Sequence, residues 1–111
     1  MKHFAGAFHE WYASMQTTAP QTEVGRITTA AGFHVAHTGG NCLAWEKVRM
    51  DGRYCWICDG DNDLGEEADE PYLVAFYATE SEILDSDEMP NLQIALEWCQ
   101  CRIDDGFTTA S

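Results

Sequence analysis

The fold is decided by residues 33–58, which read FHVAHTGGNCLAWEKVRMDGRYCWIC. Three runs rich in aromatic and β-branched residues, at 33–37, 42–50 and 53–58, are separated by Thr-Gly-Gly-Asn and by Asp-Gly. Glycine and its neighbours Asn and Asp adopt the positive φ angles that tight hairpin turns require. The three runs therefore predict three strands of an antiparallel meander.

A fourth strand is predicted at residues 72–79. Its two alternating sets of side chains are both apolar, namely Tyr72, Val74 and Phe76 in one set and Leu73, Ala75 and Tyr77 in the other. Successive side chains of a strand point to opposite faces of the sheet, so this strand is apolar on both faces. That pattern is typical of a strand in the interior of a sheet.

Helices are predicted at both ends of the chain. Apolar residues recur at helical spacing within residues 2–15 and again from about residue 91 to Arg102. Between the first helix and the strands, residues 17–22 predict a linker and residues 24–29 an extended segment. We therefore expect one α+β domain, residues 1–111, with an N-terminal helix, an antiparallel sheet of about four strands in a meander, and a C-terminal helix packed on the sheet.

The negative charge is concentrated in the second half of the chain. The 111 residues contain 19 acidic and 6 basic side chains, which gives a net charge of −13. Residues 54–101 contain thirteen acids and no Lys or Arg, whereas residues 1–53 contain four acids and five bases. A surface that only needs solvation normally mixes the two signs, because unlike neighbours attract and like neighbours repel. We interpret the acidic segment as a surface for a basic partner.

The composition excludes several classes of protein. With 45% apolar residues, the chain is too apolar for a disordered acidic tail. A strong negative field repels phosphates, so we expect no direct binding to nucleic acid and none to anionic membranes. No apolar stretch approaches the length of a membrane span, and we expect a cytoplasmic protein that keeps its five cysteines reduced.

Two acidic clusters lie on either side of the fourth predicted strand. The candidate partner-binding residues are Asp59, Asp61, Asp63, Glu66, Glu67, Asp69, Glu70, Glu80, Glu82, Asp85, Asp87 and Glu88. If the third strand continues beyond Cys58, then Asp59, Asp61 and Asp63 form a line with a spacing of about 6.8 Å. Such a row can occupy the Lys and Arg side chains with which proteins bind duplex DNA.

In type, the chain resembles the small acidic accessory proteins of phages and mobile elements, which include anti-CRISPR proteins and DNA mimics. The resemblance rests on the size, the acidic composition and the gathering of carboxylates on one part of a small α+β fold. Residues 37–45, HTGGNCLAW, are also similar to a turn and strand of uncharacterised phage and plasmid proteins. The resemblance implies a non-enzymatic inhibitor without a cofactor, which occupies a basic, nucleic-acid-binding surface of a protein or protein–nucleic acid complex.

A calcium site is the first alternative. Asp59, Asp61, Asp63 and Glu70 fall at positions one, three, five and twelve of an EF-hand-type loop. The sharp turn of that loop requires glycine at position six, where this chain has Leu64. We therefore expect no specific calcium site within residues 59–70.

A zinc site at the cysteines is the second alternative. Cys55 and Cys58 form one pair and Cys99 and Cys101 another, and two thiolate pairs can complete a tetrahedral zinc site. Residues three apart in a strand point to opposite faces, and residues two apart on a helix also diverge. We therefore expect buried structural thiols and no metal.

A small enzyme or ligand-binding domain is the third alternative. It would use Cys42 as nucleophile with His37 or His34 as base and an orienting acid such as Asp59. No spacing in the sequence brings these groups together, so we expect a protein that is not an enzyme.

Overall fold

Five strands form one antiparallel sheet in chain order. The structure is a computed structural model that describes residues 2–39, 42–61 and 63–109. The sheet has the order β1-β2-β3-β4-β5, with strands β1 (His34–Gly39), β2 (Cys42–Val48), β3 (Tyr54–Cys58), β4 (Tyr72–Tyr77) and β5 (Ile83–Met89). The predicted meander and the interior position of β4 are confirmed. The fifth strand is additional, and it consists of residues that the sequence identified only as an acidic cluster.

Three helices accompany the sheet. They are α1 (Lys2–Thr18), α2 (Glu23–Ala30) and α3 (Leu92–Thr109), with a single 3-10 turn at Ala19–Gln21 between the first two. The N-terminal and C-terminal helices confirm the predicted α+β class, although α3 continues past Arg102. No helix in the described part of the chain is both long enough and apolar enough to cross a membrane.

The extended segment predicted at residues 24–29 is wrong, because these residues belong to α2. Thr22 caps this helix: its hydroxyl oxygen accepts a 2.9 Å hydrogen bond from the N–H of Gly25. Val24 and Thr28, one helical turn apart, are both buried. Gly25 lies so close to the preceding turn that a Cβ there would be 1.7 Å from the carbonyl oxygen of Ala19. The cap and the close packing therefore override the β-propensity of this segment.

One face of the sheet, which we call the inner face, forms the core with the helices. Val35, Trp45, Ile57 and Val74 lie opposite one another on neighbouring strands and are buried. The helical residues of this core include Val24 from α2 and Leu92, Ala95, Cys99 and Ile103 from α3, and Met15 of α1 packs against it. The helices thus lie on the inner face.

The opposite face, which we call the outer face, carries a different set of residues. His34, Glu46, Trp56, Ala75 and Ser86 form a row across the five strands. Trp56 is only half-buried, although β3 is an interior strand of the sheet. The two-sided apolar character of β4 therefore reflects two different environments, a helix-covered core and this outer face.

Candidate functional site

The acidic segment at residues 59–70, which we call the acidic loop, is a closed turn. The carboxylate of Asp59 accepts hydrogen bonds from the N–H groups of Asp61 (2.8 Å) and Asp63 (3.0 Å). The N–H of Asp59 donates to the carbonyl of Asp63, at 2.8 Å. The extended line of Asp59, Asp61 and Asp63 is therefore wrong, since β3 ends at Cys58. An Asp side chain that bonds nearby backbone N–H groups favours a turn over continued strand pairing.

A buried side chain and three hydrogen bonds attach the acidic loop to the rest of the domain. Leu64 is buried, with 4% of its surface exposed, and its carbonyl accepts a 3.0 Å hydrogen bond from the indole N–H of Trp45. The hydroxyl of Tyr72 donates to the carbonyl of Glu67, at 2.7 Å. The N–H of Leu92 donates to the carbonyl of Ala68, at 2.9 Å. Three hydrogen bonds thus hold the backbone that carries the first acidic cluster.

The second acidic cluster lies in β5 and in the turn before it. The turn is closed by a hydrogen bond from the N–H of Ala78 to the carbonyl of Glu82. β5 is an edge strand that pairs only with β4, and its residues are exposed except for Met89. The carboxylates of Asp85 and Asp87 accept hydrogen bonds from the N–H groups of the residues that follow them. These acids cover backbone donors of the edge strand, which protects a sheet edge against pairing with another strand.

The two clusters are joined at one corner of the sheet. β5 ends with Met89 opposite Tyr72, the residue where β4 begins. Just beyond this pair, the carbonyl of Ala68 in the acidic loop accepts a hydrogen bond from the N–H of Leu92. The first part of the loop, residues 59–66, lies beside the helical residues that include Thr18. We call the acidic loop, β5 and the turn at residues 80–82 together the acidic border.

Most of the predicted partner-binding residues are exposed on this border. The half-buried exceptions are Asp59 and Glu70, and the exposed ones are Asp61, Asp63, Glu66, Glu67, Asp69, Glu80, Glu82, Asp85, Asp87 and Glu88. Asp59 also uses its carboxylate to close the loop. Its role in the described structure is therefore to shape the loop that carries the other acids.

A single base reaches the acidic border among the described residues. Arg102 on α3 binds Asp85, with 2.5 Å between Nη2 and Oδ2, and this hydrogen bond lowers the pKa of Asp85. Two other described bases have contacts elsewhere: Arg53 is 3.8 Å from Asp51, and Lys47 donates to the carbonyl of Ala31. The border is therefore largely without compensating positive charge.

A groove on the outer face, which we call the outer groove, lies beside the acidic border. Its volume is about 570 Å³, and its described lining residues all belong to the strands and include Cys42, Trp56, Cys58, Leu73, Ala75 and Tyr77. The small side chain of Ala75 lies between the larger Trp56 and the exposed strand β5. This small residue in the middle of the sheet leaves space for a groove.

Three aromatic rings stack beside the outer groove. Tyr54 and Tyr77 are nearly parallel, with ring centroids 5.1 Å apart, and Trp56 is tilted against Tyr77 at 4.7 Å. Glu46 fixes the indole by accepting a 2.7 Å hydrogen bond from its N–H, and its other oxygen lies 2.9 Å from the ring of His34. Sequence reasoning missed this cluster. The signal was present in the alternation of Tyr54, Trp56 and Cys58, which places all three side chains on one face.

The two members of each predicted cysteine pair point in different directions, as the spacing predicts. Cys55 is buried on the inner face, whereas Cys58 lines the outer groove. Cys99 is buried next to Cys55, whose thiol lies 3.8 Å from the Cys99 carbonyl, and Cys101 is exposed. Among the side chains that the structure describes, those of residues 10–38, 42–61 and 63–104, no group of three or more His, Cys, Asp or Glu is placed to hold a metal ion.

The two histidines of the enzyme alternative lie on different faces of the sheet. His37 lies on the inner face, where its ring centroid is 5.9 Å from that of Tyr12. Cys42 lines the outer groove, so the sheet separates it from His37. His34 shares the outer face with Cys42, but it lies opposite Glu46, four residues further along β2, and its ring nitrogen is 2.9 Å from the Glu46 carboxylate.

Comparisons with known proteins give no match to this chain. No protein-family model, no curated protein sequence and no solved structure matched it.

Proposed function

We propose that this protein is a non-enzymatic binding protein, whose acidic border occupies a basic surface of a partner protein or protein–nucleic acid complex. In its most specific form, the proposal is an inhibitor of the anti-CRISPR or DNA-mimic type, which competes with nucleic acid for that surface. One observation carries the proposal: two acidic clusters that β4 separates in the sequence are joined at one corner of the sheet, with Arg102 as the one described base that reaches them.

The rigidity of the border supports this function. The acidic loop is bonded to buried groups of the core, and the other acids lie in β5 and a closed turn. A fixed array of charges loses little conformational entropy on binding, so more of the interaction energy appears as affinity.

The dimensions of the border also support it. A strand of seven residues, the length of β5, spans about 20 Å, which equals the rise of about six base pairs of duplex DNA. A surface that binds a short stretch of DNA through Lys and Arg therefore matches β5 in length. Like-charged neighbours repel one another in the free protein, and a basic partner relieves that repulsion.

The experiment is a competition assay. A labelled DNA duplex is bound to an arginine-rich peptide, and the full chain is added at increasing concentration while the release of duplex is followed by fluorescence anisotropy. The border variant carries Glu80→Gln, Glu82→Gln, Asp87→Asn and Glu88→Gln. Its matched control carries four neutralised acids away from the border, namely Glu10→Gln, Glu23→Gln, Glu97→Gln and Asp104→Asn, all at exposed positions.

We expect the native chain and the control variant to release the duplex, and the border variant to need at least about tenfold more protein. Direct binding of the labelled arginine-rich peptide to the chain, measured without DNA, should weaken as salt rises from about 0.1 M to about 1 M, because the Debye length falls from about 10 Å to about 3 Å. Equal loss of competition in both variants would mean that only net charge matters and would contradict the proposal. So would direct peptide binding that is indifferent to salt.

A further inference from the structure

The outer groove combines aromatic walls with an acidic margin. Trp56 and Tyr77 line it, and the faces of such rings attract cations. Ser86 and Asp87 line the groove on the side of β5, and Glu88 lies on the outer face opposite Leu73, whereas the Asp87 side chain belongs to the inner face because Asp87 pairs with Val74. No Lys or Arg is among the described lining residues. The groove therefore favours a cation, and among the described residues no Lys or Arg occupies it. Such a cation would come from another molecule.

Among the residues that line the groove, Trp56, Cys58 and Tyr77 are half-buried. Burial, together with the nearby charge of Asp59, raises the pKa of Cys58 to about 11. Burial also raises the pKa of Tyr77. Attraction between a cation and an aromatic ring is stronger where water is excluded. The groove therefore suits a positive group on a long apolar stem, with the stem against Leu73 and Ala75 and the positive group at the rings.

We infer that the outer groove binds an arginine side chain of the basic partner, with its guanidinium against Trp56 and Tyr77. The inference rests on the proposed function, since the acidic border must first bring a basic surface to this edge of the sheet. Arginine fits better than lysine, because a planar guanidinium stacks on aromatic rings and is less strongly hydrated than an ammonium group. The volume of about 570 Å³ lies within the range of ligand sites, about 300–1,000 Å³.

The experiment compares two peptides of equal length and charge, one made of arginine and one of lysine. Each labelled peptide is titrated with the full chain at low salt, and binding is followed by fluorescence anisotropy. Ala75→Leu fills the groove without removing an acid, and Trp56→Leu removes the large aromatic face but keeps an apolar side chain. The border variant is the third protein. Cooperative thermal unfolding shows which variants are folded, and only folded variants enter the comparison.

We expect the native chain to prefer the arginine peptide by about threefold or more. In a folded groove variant this preference should shrink while affinity for the lysine peptide is retained, because the acidic border is intact. The border variant should bind both peptides more weakly. The indole N–H resonance of Trp56, identified with Trp56→Phe, should shift on addition of the arginine peptide.

Three outcomes overturn the inference. Equal affinities for the two peptides, or an arginine preference that is unchanged in both groove variants, would overturn the groove site and leave the proposed function standing, provided that both peptides bind in a salt-dependent way. Failure of both peptides to bind the native chain at low salt would overturn the proposed function and the inference with it.

Discussion

The indole N–H of Trp45 donates a 3.0 Å hydrogen bond to the carbonyl of Leu64. Trp45 is fully buried in β2, and Leu64 is the buried residue of the acidic loop. The bond therefore joins the centre of the sheet to the loop that carries the first acidic cluster. Any function of that loop as a fixed array of charges depends on such contacts, because its exposed carboxylates repel one another.

Trp45→Phe removes this donor, leaves the buried Leu64 carbonyl unpaired and opens a small cavity. We expect the free energy of unfolding to fall by about 2–4 kcal/mol, measured by denaturant titration. Amide hydrogen exchange in residues 59–70 should also become faster. The control is Trp98→Phe at a half-buried position on α3, where we expect a loss of about 1 kcal/mol or less. Similar losses in both variants would contradict a specific role for the Trp45 bond.

Gly65 and Gly60 give a matched pair within the same loop. Gly65 has φ +82°, and a Cβ added there would lie 2.3 Å from the hydroxyl oxygen of Tyr72, whereas nothing lies within 4 Å of a Cβ at Gly60. Gly65→Ala combines an unfavourable backbone conformation with a steric clash, so we expect a loss of about 2 kcal/mol or more in unfolding free energy. Gly60→Ala should stay within about 0.5 kcal/mol of the native chain. Thermal unfolding of the two variants decides the comparison, and equal stability would show that the loop is not packed against Tyr72.

Local sequence patterns were sufficient to predict some of the secondary-structure elements. The turn-forming residue types in the sequence at 38–41 and 51–52 and the alternation in β4 predicted the meander and its interior strand. The helix α2 was missed because the β-branched residues within residues 24–29 favour a strand. The Thr22 cap and the close approach of Gly25 to Ala19 are local contacts that outweigh this preference. β5 escaped because Asp and Glu are poor strand formers, and pairing with β4 overrides that preference.

The candidate site could also be predicted only in part. The sequence alone shows which residues are acidic. Their junction at one corner of the sheet could not be predicted, because it depends on β5 returning beside β4. The outer groove could not be predicted either, since Trp56 has the same spacing as a core residue. The two faces of β3 differ only because the helices all lie on the inner face.

Asp51 gives the native state a specific acid sensitivity. A hydrogen bond from Arg49, and then one from the N–H of Arg53, lower its pKa from the usual 3.8 to about 2. Because the folded pKa is lowered, this contribution to stability is complete above about pH 4 and is lost as the pH falls toward about 2. Asp51→Asn should therefore flatten the fall in melting temperature over that range.

The matched control for Asp51 is Arg53→Gln. It keeps the backbone N–H that bonds to Asp51 and removes only a guanidinium 3.8 Å away. We expect it to change the acid limb less than Asp51→Asn does. Melting temperatures between pH 7 and pH 2, recorded by circular dichroism, test the difference. An acid limb of unchanged slope in Asp51→Asn would show that other groups control the acid sensitivity.

Substitution of Arg102 tests whether the net charge of the acidic border controls binding. Its guanidinium binds Asp85 and lies 3.5 Å from the centroid of the Trp98 ring, so it both neutralises part of the border and packs on α3. Arg102→Gln leaves Asp85 without its base and should raise the affinity for a basic peptide at low salt by roughly twofold, with the gain vanishing at high salt. Arg26→Gln is the control, because it removes the same charge at a position distant in the sequence. Arg26 donates to the carbonyl of Gln21, and its substitution should leave the affinity nearly unchanged. Anisotropy titrations of both variants against the lysine peptide measure the difference. Equal gains would mean that the peptide responds to the net charge of the molecule, and no gain in Arg102→Gln would exclude the region around Asp85 from the binding surface.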